Sequence, residues 1–261
     1  MTTALLFSTY NWPEALNLLL KSIIRQVEMP DEILIADDGS RKETKQLIDS
    51  YRDKISVPIH HVWHEDNGFR KTIILNQALA KCTSDYIIQI DGDCILPSKF
   101  IKDHKSFADR DYYVYGTRVH LKMSQVKEIE KKEKIDFSFF NAALKKRARR
   151  LRSPILAQNS KQEAVLSRKL RGCNMAFWRE DILKINGFNE SIHGWGRSDS
   201  ELAARMLNIG IKARRMKFMG FVYHLDHPVN DKGRLGDNSK IESNTINNKI
   251  TWADNGLDKY L

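Results

Sequence analysis

Apolar positions along the first hundred residues switch repeatedly between two periods. The runs "TALLFS", "EILIADD", "IHHVWHE" and "YIIQID" are short, β-branched and nearly continuous, as in buried strands, whereas "PEALNLLLKSIIRQ", "KETKQLIDSY" and "TIILNQALAKC" carry helical spacing. In the first of these, Leu16, Leu19, Leu20, Ile23 and Ile24 fall at helical spacing, and Pro13 suits a first turn, where its missing N–H would be unbonded anyway. Strands and helices in alternation predict an α/β fold, a mostly parallel Rossmann-like sheet flanked by helices, with ligands gathering beyond the carboxyl ends of the strands. Polar clusters fall at those ends: "STYNW", "DDGS", "HEDNGFRK" and "DGDC".

The later half is less regular. "YYVYGTRVHL" reads as one strand, residues 122–171 as a charged insertion that is helical or mobile, and "GCNMAFWRE" as a strand entering a helix. "NGFNESIHGWG" is a glycine-bearing loop. "DSELAARMLNIG" has a helical stripe of Leu202, Met206 and Ile209 closed by Gly210, and "KFMGFVYHL" is a last strand. The polar segment from Asp226 onward is expected to bury little.

Composition adds bounds. With 261 residues, 41% hydrophobic and 29% charged, the chain has the material for a sizeable core. No apolar run approaches the ~18 to 20 residues of a membrane span, and the start lacks a signal-peptide pattern, so a cytoplasmic location is expected. Cys82, Cys94 and Cys173 are scattered and odd in number, which argues for reduced packing residues rather than a disulfide framework or zinc site. The net charge of +10 is regional: between Lys122 and Arg179 there are 16 Lys and Arg against 5 Asp and Glu. Such a region can serve nucleic acid, an anionic membrane or a phosphorylated substrate.

The chemistry concentrates in "IIQIDGDCILP". Asp91 and Asp93 stand at the mouth of a buried strand, and buried carboxylates are costly unless paired, hydrogen-bonded or bound to a metal. Together with "STYNWPEAL", "DDGS", Lys71 and Asn76 after "NG", "RGCNMAFWRED", "NGFNE", "GWGRSDSELAARMLNIG" and "YHLDHP", this sequence resembles the inverting family-2 glycosyltransferases, particularly bacterial lipopolysaccharide and capsule enzymes, with a galactosyltransferase-like C-terminal half. The resemblance covers roughly residues 1 to 228. It implies a GT-A fold: a nucleotide-sugar-binding half over 1–117, a smaller acceptor-binding and catalytic half over 118–228 that includes the basic insertion, and a polar tail over 229–261.

The same resemblance implies site residues. Asp93 would ligate Mn²⁺ or Mg²⁺, with His224, or His227 beside it, as a further ligand; Asp91 would contact the ribose or a metal-bound water. Glycine between the two acids would let the backbone approach the ligand. Asp38 would read the uracil, Thr9 and Tyr10 would line the base pocket, Arg70 and Lys71 would reach a phosphate, and Asn76 follows from the family pattern alone. In "GWGRSDSE" the central Asp199 would be the base that takes the acceptor proton, Ser198 replaces an acid usual in the family, and Trp195 would offer a platform for a sugar ring. Glu201 is a second acceptor-side carboxylate, which a helical turn of ~100° per residue points away from Asp199.

The partners implied are a UDP-sugar and an oligosaccharide or lipid-linked acceptor. A non-catalytic nucleic-acid-binding protein is the alternative, but the basic segment has no zinc-finger, RNP or KH pattern and aromatic residues barely interleave "KKRARRLR", so no nucleic-acid partner is expected. Within residues 135–152, Phe140, Leu144 and Leu151 would share a helical face amid Lys145, Lys146, Arg147, Arg149, Arg150 and Arg152, the composition of a helix lying on an anionic membrane or of a solvated loop.

Overall fold

The structure, a computed structural model, describes residues 1–158, 162–228 and 231–261. β1 (Thr3–Thr9), α1 (Pro13–Ile24), β2 (Glu32–Asp37), α2 (Lys42–Asp49), β3 (Ile59–Trp63), α3 (Lys71–Ala80) and β4 (Tyr86–Asp91) alternate as the periodicity predicts. The four strands pair in parallel in the order β3-β2-β1-β4, with Thr9 opposite Asp37 and Ser8 opposite Asp91. That register aligns the polar strand ends along one edge. Both faces of the sheet are buried: Leu5, Phe7, Ile33 and Ile35 pack with Leu16, Leu19 and Ile23 of α1, while Leu6, Leu34 and Ile87 pack with Ile74, Leu75 and Ala78 of α3. Burial on both faces is why these strands read as unbroken apolar runs.

Two short elements absent from the sequence reading follow, β5 (Cys94–Ile95) and α4 (Phe100–Phe107). The single strand expected over "YYVYGTRVHL" is split into β6 (Tyr112–Tyr115) and β7 (Thr117–Leu121), which enter different sheets. Gly116 is the crossing point: a Cβ there would lie 2.4 Å from Asn174 Nδ2 and 2.5 Å from the Gly220 carbonyl oxygen, so only a hydrogen fits. The chain continues through α5 (Met123–Lys131), β8 (Leu144–Lys145), α6 (Pro154–Ala157), β9 (Gln162–Glu163), β10 (Asn174–Trp178), α7 (Arg179–Lys184), α8 (Ser198–Asn208), β11 (Lys212–Arg215), β12 (Phe221–Leu225) and α9 (Leu235–Asn247). The large sheet runs β3-β2-β1-β4-β10-β6-β11-β9, with β10 antiparallel to β4, and a second sheet runs β5-β12-β7-β8. Val119, Leu121, Phe221, Tyr223 and Leu225 of the second sheet bury against Val126 and Ile129 of α5. Among the described residues, no helix is long and apolar enough to cross a membrane.

Two expectations are corrected. Residues 135–152 do not form one amphipathic helix: Leu144 pairs with Leu121 as a strand residue and is buried, Lys146 takes a left-handed φ of 56°, and only Arg147–Arg150 make a 3₁₀ turn. Phe140, by contrast, is 83% exposed. Nor does the C-terminal segment bury little. α9 packs along α8, and its inward residues are polar: Asn238, Glu242 and Thr245 are all buried at helical spacing. Asn238 Nδ2 donates to the carbonyls of His193 (2.9 Å) and Gly196 (3.0 Å), Thr245 Oγ1 donates to Glu201 (3.0 Å), and Glu242 pairs with Arg197 (3.2 Å). The three cysteines are free and buried, as expected.

Candidate active site

A cleft of about 590 Å³ opens where β1, β2 and β4 end and where the second sheet meets them. Thr9, Tyr10 and Asp38 line one part of it, Lys71, Asp91, Gly92 and Asp93 its floor, and His224, His227 and Trp195 the opposite side. Most of the residues singled out from the sequence therefore meet in one place.

The structure separates the two acids of "DDGS". Asp37 is buried and tied to His61 (2.9 Å) and the Ser40 backbone N–H (2.8 Å), so it builds the turn. Asp38 faces the cleft, with one oxygen on His64 Nε2 (2.7 Å) and the other accepting from the Arg70 backbone N–H (3.0 Å). Burial pushes its carboxyl pKa up despite those bonds. Tyr10 is half exposed and its hydroxyl donates to Asp66 (2.9 Å), which leaves the ring available for stacking. Arg70 contributes its backbone; its guanidinium turns back to the Glu65 carbonyl.

The floor answers the question posed by the paired acids. Asp91 has a cation from the chain itself, Lys71 Nζ at 2.6 Å. Burial disfavours both charges, yet the pairing wins: Asp91 is held below its ordinary pKa, and Lys71, drawn by Asp91 and Asp199, above its own. Asp93 has no such partner. Its Oδ2 lies 3.4 Å from His224 Nε2 and 3.3 Å from His227 Nε2, and burial, with Asp91 adding repulsion against the two imidazoles, pushes its pKa up. Asp93, His224 and His227 offer three ligand atoms within 4.8 Å of one another, and the buried His224 Nδ1 has no hydrogen-bond partner. A carboxylate with two imidazoles, in a site where burial disfavours the anion, fits a divalent cation. Gly92 is explained by the fold instead of by a ligand: a Cβ would lie 2.6 Å from the Ser8 carbonyl oxygen, which accepts the Gly92 N–H at 2.8 Å.

The loop before α8 is held by left-handed residues, Gly194 (φ 68°), Gly196 (φ 101°) and Arg197 (φ 75°), which turn Trp195 to the cleft. Trp195 remains 36% exposed. Asp199 stands in the first turn of α8 with its Oδ1 unpartnered. Burial raises its pKa; Lys71, the Gly172 backbone and the Gln89 amide pull the other way. Gly172 is indispensable there, because a Cβ would sit 2.1 Å from the Asp199 Cγ.

Four predicted residues do not line the cleft: Arg70, whose guanidinium turns away, Asp199, which adjoins the lining close enough to interact with Lys71 and Asp91, and Asn76 and Glu201, which belong to the core. Asn76 is fully buried and clamps the "NGFNE" loop, its Nδ2 donating to the Phe188 carbonyl (2.8 Å) and to Glu190 (2.8 Å) while its Oδ1 accepts from the Phe188 N–H (2.8 Å). Glu201 is also fully buried, paired twice with Arg205 at 2.9 and 2.8 Å. Both are polar keystones of the core, where an unpaired carboxylate or amide would be expensive. Conversely, sequence reasoning missed Trp12, Phe69, Arg118, His120 and Asp226 on the cleft wall. His120 and Asp226 pair at 2.7 Å, and Lys145 joins Asp226 at 2.8 Å; alternation along "TRVHL" already placed Arg118 and His120 on one face.

Known proteins resemble this chain in sequence and fold. The pattern of glycosyl transferase family 2 matches residues 5–171, and the pattern described as the N-terminal domain of galactosyltransferase matches residues 154–228. The chain is 24% identical to the hyaluronan synthase of Pasteurella multocida over 79% of its own length, and it spans 23% of that synthase. The crystal structure of residues 1–349 of S. aureus TarS in complex with UDP superposes with a TM-score of 0.63 at 15% identity, over all of this chain and 68% of the other. The mannosyltransferase PcManGT from Pyrobaculum calidifontis, in complex with GDP-Man and Mn²⁺, gives 0.58 at 17% identity over 90% of this chain and 59% of the other. Those likenesses establish the GT-A architecture. With the family pattern extending over more than half of its residues, the chain belongs to glycosyl transferase family 2.

Proposed function

We propose that the chain is a metal-dependent inverting glycosyltransferase that moves a hexose or N-acetylhexosamine from a UDP-sugar to a hydroxyl of a lipopolysaccharide, capsule or lipid-linked oligosaccharide. One observation carries this reading: a single cleft holds a carboxylate already neutralised by a lysine (Asp91) and a carboxylate set against two imidazoles (Asp93), and next to its lining a third carboxylate, Asp199, with one oxygen unpartnered, lies close enough to act on the charges of Lys71 and Asp91. The UDP complex of TarS supports uridine as the donor's base.

Asp93, His224 and His227 would hold Mn²⁺ or Mg²⁺, and a divalent cation bound there supplies positive charge to the leaving diphosphate. Lys71, fixed by Asp91, adds its remaining N–H donors on the same side. Asp38 retains lone pairs beyond those engaged by His64 and Arg70, so it can still accept the uracil N3 proton, while Thr9 and Tyr10 border the base. Asp199 takes the proton of the acceptor hydroxyl as that oxygen bonds to the anomeric carbon and the carbon's bond to the diphosphate breaks. A single displacement inverts the configuration, and the raised pKa makes Asp199 a better proton acceptor than an ordinary carboxylate. Trp195 gives the acceptor ring an apolar face. The enzyme acts in the cytoplasm at an anionic membrane face, contacted by the exposed Phe140, Leu151, Ile155 and Leu156, with Lys146 and Arg147 also exposed in the same stretch of chain.

The test is a panel of UDP-sugars scored for UDP release, with the product's anomeric configuration read by NMR once an acceptor is found. Release from one or two sugars, lost on chelation, is the expected result. Release from none, or release undiminished in excess chelator, contradicts the reading.

A further inference from the structure

The basic region spends its charge unevenly. Arg152 pairs with Asp103 at 2.6 Å, Lys145 with Asp226 at 2.8 Å, and Lys132 with Glu128 at 2.6 Å. Three arginines from separate parts of the chain are different: among the described residues, none of Arg118, Arg149 and Arg171 has an ion-pair partner, and they converge on one another. Arg118, on β7, lines the cleft and reaches Cys173 Sγ at 3.8 Å. Arg149 Nη1 donates to the Arg118 carbonyl at 3.2 Å. Arg171 precedes Gly172, the residue whose backbone abuts Asp199, and its Nη1 donates to the Arg168 carbonyl at 2.9 Å.

Clustered like charges disfavour one another. Burial, followed by Arg118 and Arg149, pulls the Arg171 pKa down, and the carboxylate acting on it is Asp199. Guanidinium groups gathered without a carboxylate are a receptor for phosphate or carboxylate oxygens, which they bind through paired N–H donors.

We infer that the acceptor carries an anionic group, a phosphate or a carboxylate, and that Arg118, Arg149 and Arg171 hold it beside Asp199. The inference rests on the transferase reading above and narrows its acceptor to acidic glycans. Arg118 borders the cleft with Lys71 and Asp91, whereas Arg149 and Arg171 lie outside its lining, and Lys71 with the Asp93 site already offers the donor diphosphate its positive charge, which leaves the cluster for a second anion. An anion in the arginine cluster would fix one end of the acceptor sugar while its hydroxyl meets the base.

Saturation-transfer NMR tests this on the whole chain with four probes: glucose 6-phosphate, glucuronate, neutral glucose and inorganic phosphate, each with and without UDP. The expected result is that at least one acidic sugar binds, glucose and inorganic phosphate bind far more weakly, and Arg118→Gln and Arg171→Gln each weaken the acidic sugar about tenfold or more while UDP affinity changes little. The inference is overturned if glucose binds as well as the acidic sugars, if neither acidic sugar binds, if inorganic phosphate binds as tightly as they do, or if the arginine variants weaken UDP as much as the acidic sugar. Failure to bind UDP in the wild type would count against the transferase reading; normal UDP binding with no preference for acidic sugars counts against this inference alone.

Discussion

The two walls of the cleft are built by different means. The wall proposed for the donor is a row of strand ends: parallel register sets Thr9 opposite Asp37, next to Asp38 which faces the cleft, and Ser8 opposite Asp91, and these polar positions close buried apolar runs. The wall proposed for the acceptor has no such row. It is assembled from Gly172 before β10, Asp199 on α8 and Trp195 in a loop whose carbonyls are held by Asn238 from α9. A wall set by sheet register tolerates change near it; a wall made of long-range contacts depends on single residues for its geometry. The comparison predicts that donor and acceptor functions can be damaged separately.

The largest effect is expected on the donor wall itself. Asp93→Ala removes the carboxylate of the proposed cation site and should lower transfer on the order of 10³-fold or more, with added Mn²⁺ restoring little. Transfer rates across a Mn²⁺ titration check this, and wild-type rates in the variant would remove Asp93 from the mechanism. Gly172→Ala attacks the other wall. Its Cβ would collide with Asp199, so transfer should fall roughly 10²-fold while UDP binding, measured by calorimetry, stays intact. Equal losses of UDP affinity and transfer would erase the distinction between the walls.

Asn238→Ala probes the same wall from behind. It leaves the His193 and Gly196 carbonyls without their donor, at a cost of about 1–3 kcal/mol in stability, and should slow transfer up to roughly tenfold by loosening the Trp195 loop. Thermal melting and steady-state kinetics report the two effects. The smallest effect lies outside the cleft: replacing Lys146 and Arg147 by Gln should weaken binding to anionic vesicles by roughly fivefold per charge, following about 1 kcal/mol for each basic residue near such a surface. Co-sedimentation with anionic and neutral vesicles decides it; equal retention on both would discard the membrane contact.

How much of this was legible follows the same division. β1 to β4 and their polar ends can be read from the chain because a strand buried on both faces announces itself as an apolar run, with the functional residues immediately after it. α9 could not, since the stripe it buries is Asn238, Glu242 and Thr245, a helical spacing that hydrophobic patterning passes over. Asn76 and Glu201 were misplaced for a related reason: polar residues in a motif look like ligand contacts until their partners, Phe188 and Arg205, are seen. Gly116 hid the change of sheet within what reads as one strand, and the arginine cluster needed three distant segments to meet.

The central claim is that Asp199 is the base of the acceptor wall, and Asp199→Asn tests it most directly through three readouts on one variant. Transfer should fall about 10² to 10⁴-fold in kcat, because the amide cannot take the proton, while UDP affinity is kept. Stability should move the other way. The folded pKa of Asp199 is raised by burial, so its contribution to stability is fullest below the unfolded value near 3.8 and is lost as pH rises through the folded pKa; at neutral pH the ionised group is a burden that asparagine removes. The variant is therefore predicted to melt higher than wild type at pH 7 and to lose that advantage in acid. An Asp199→Asn protein that transfers sugar at near-normal kcat would contradict the assignment outright.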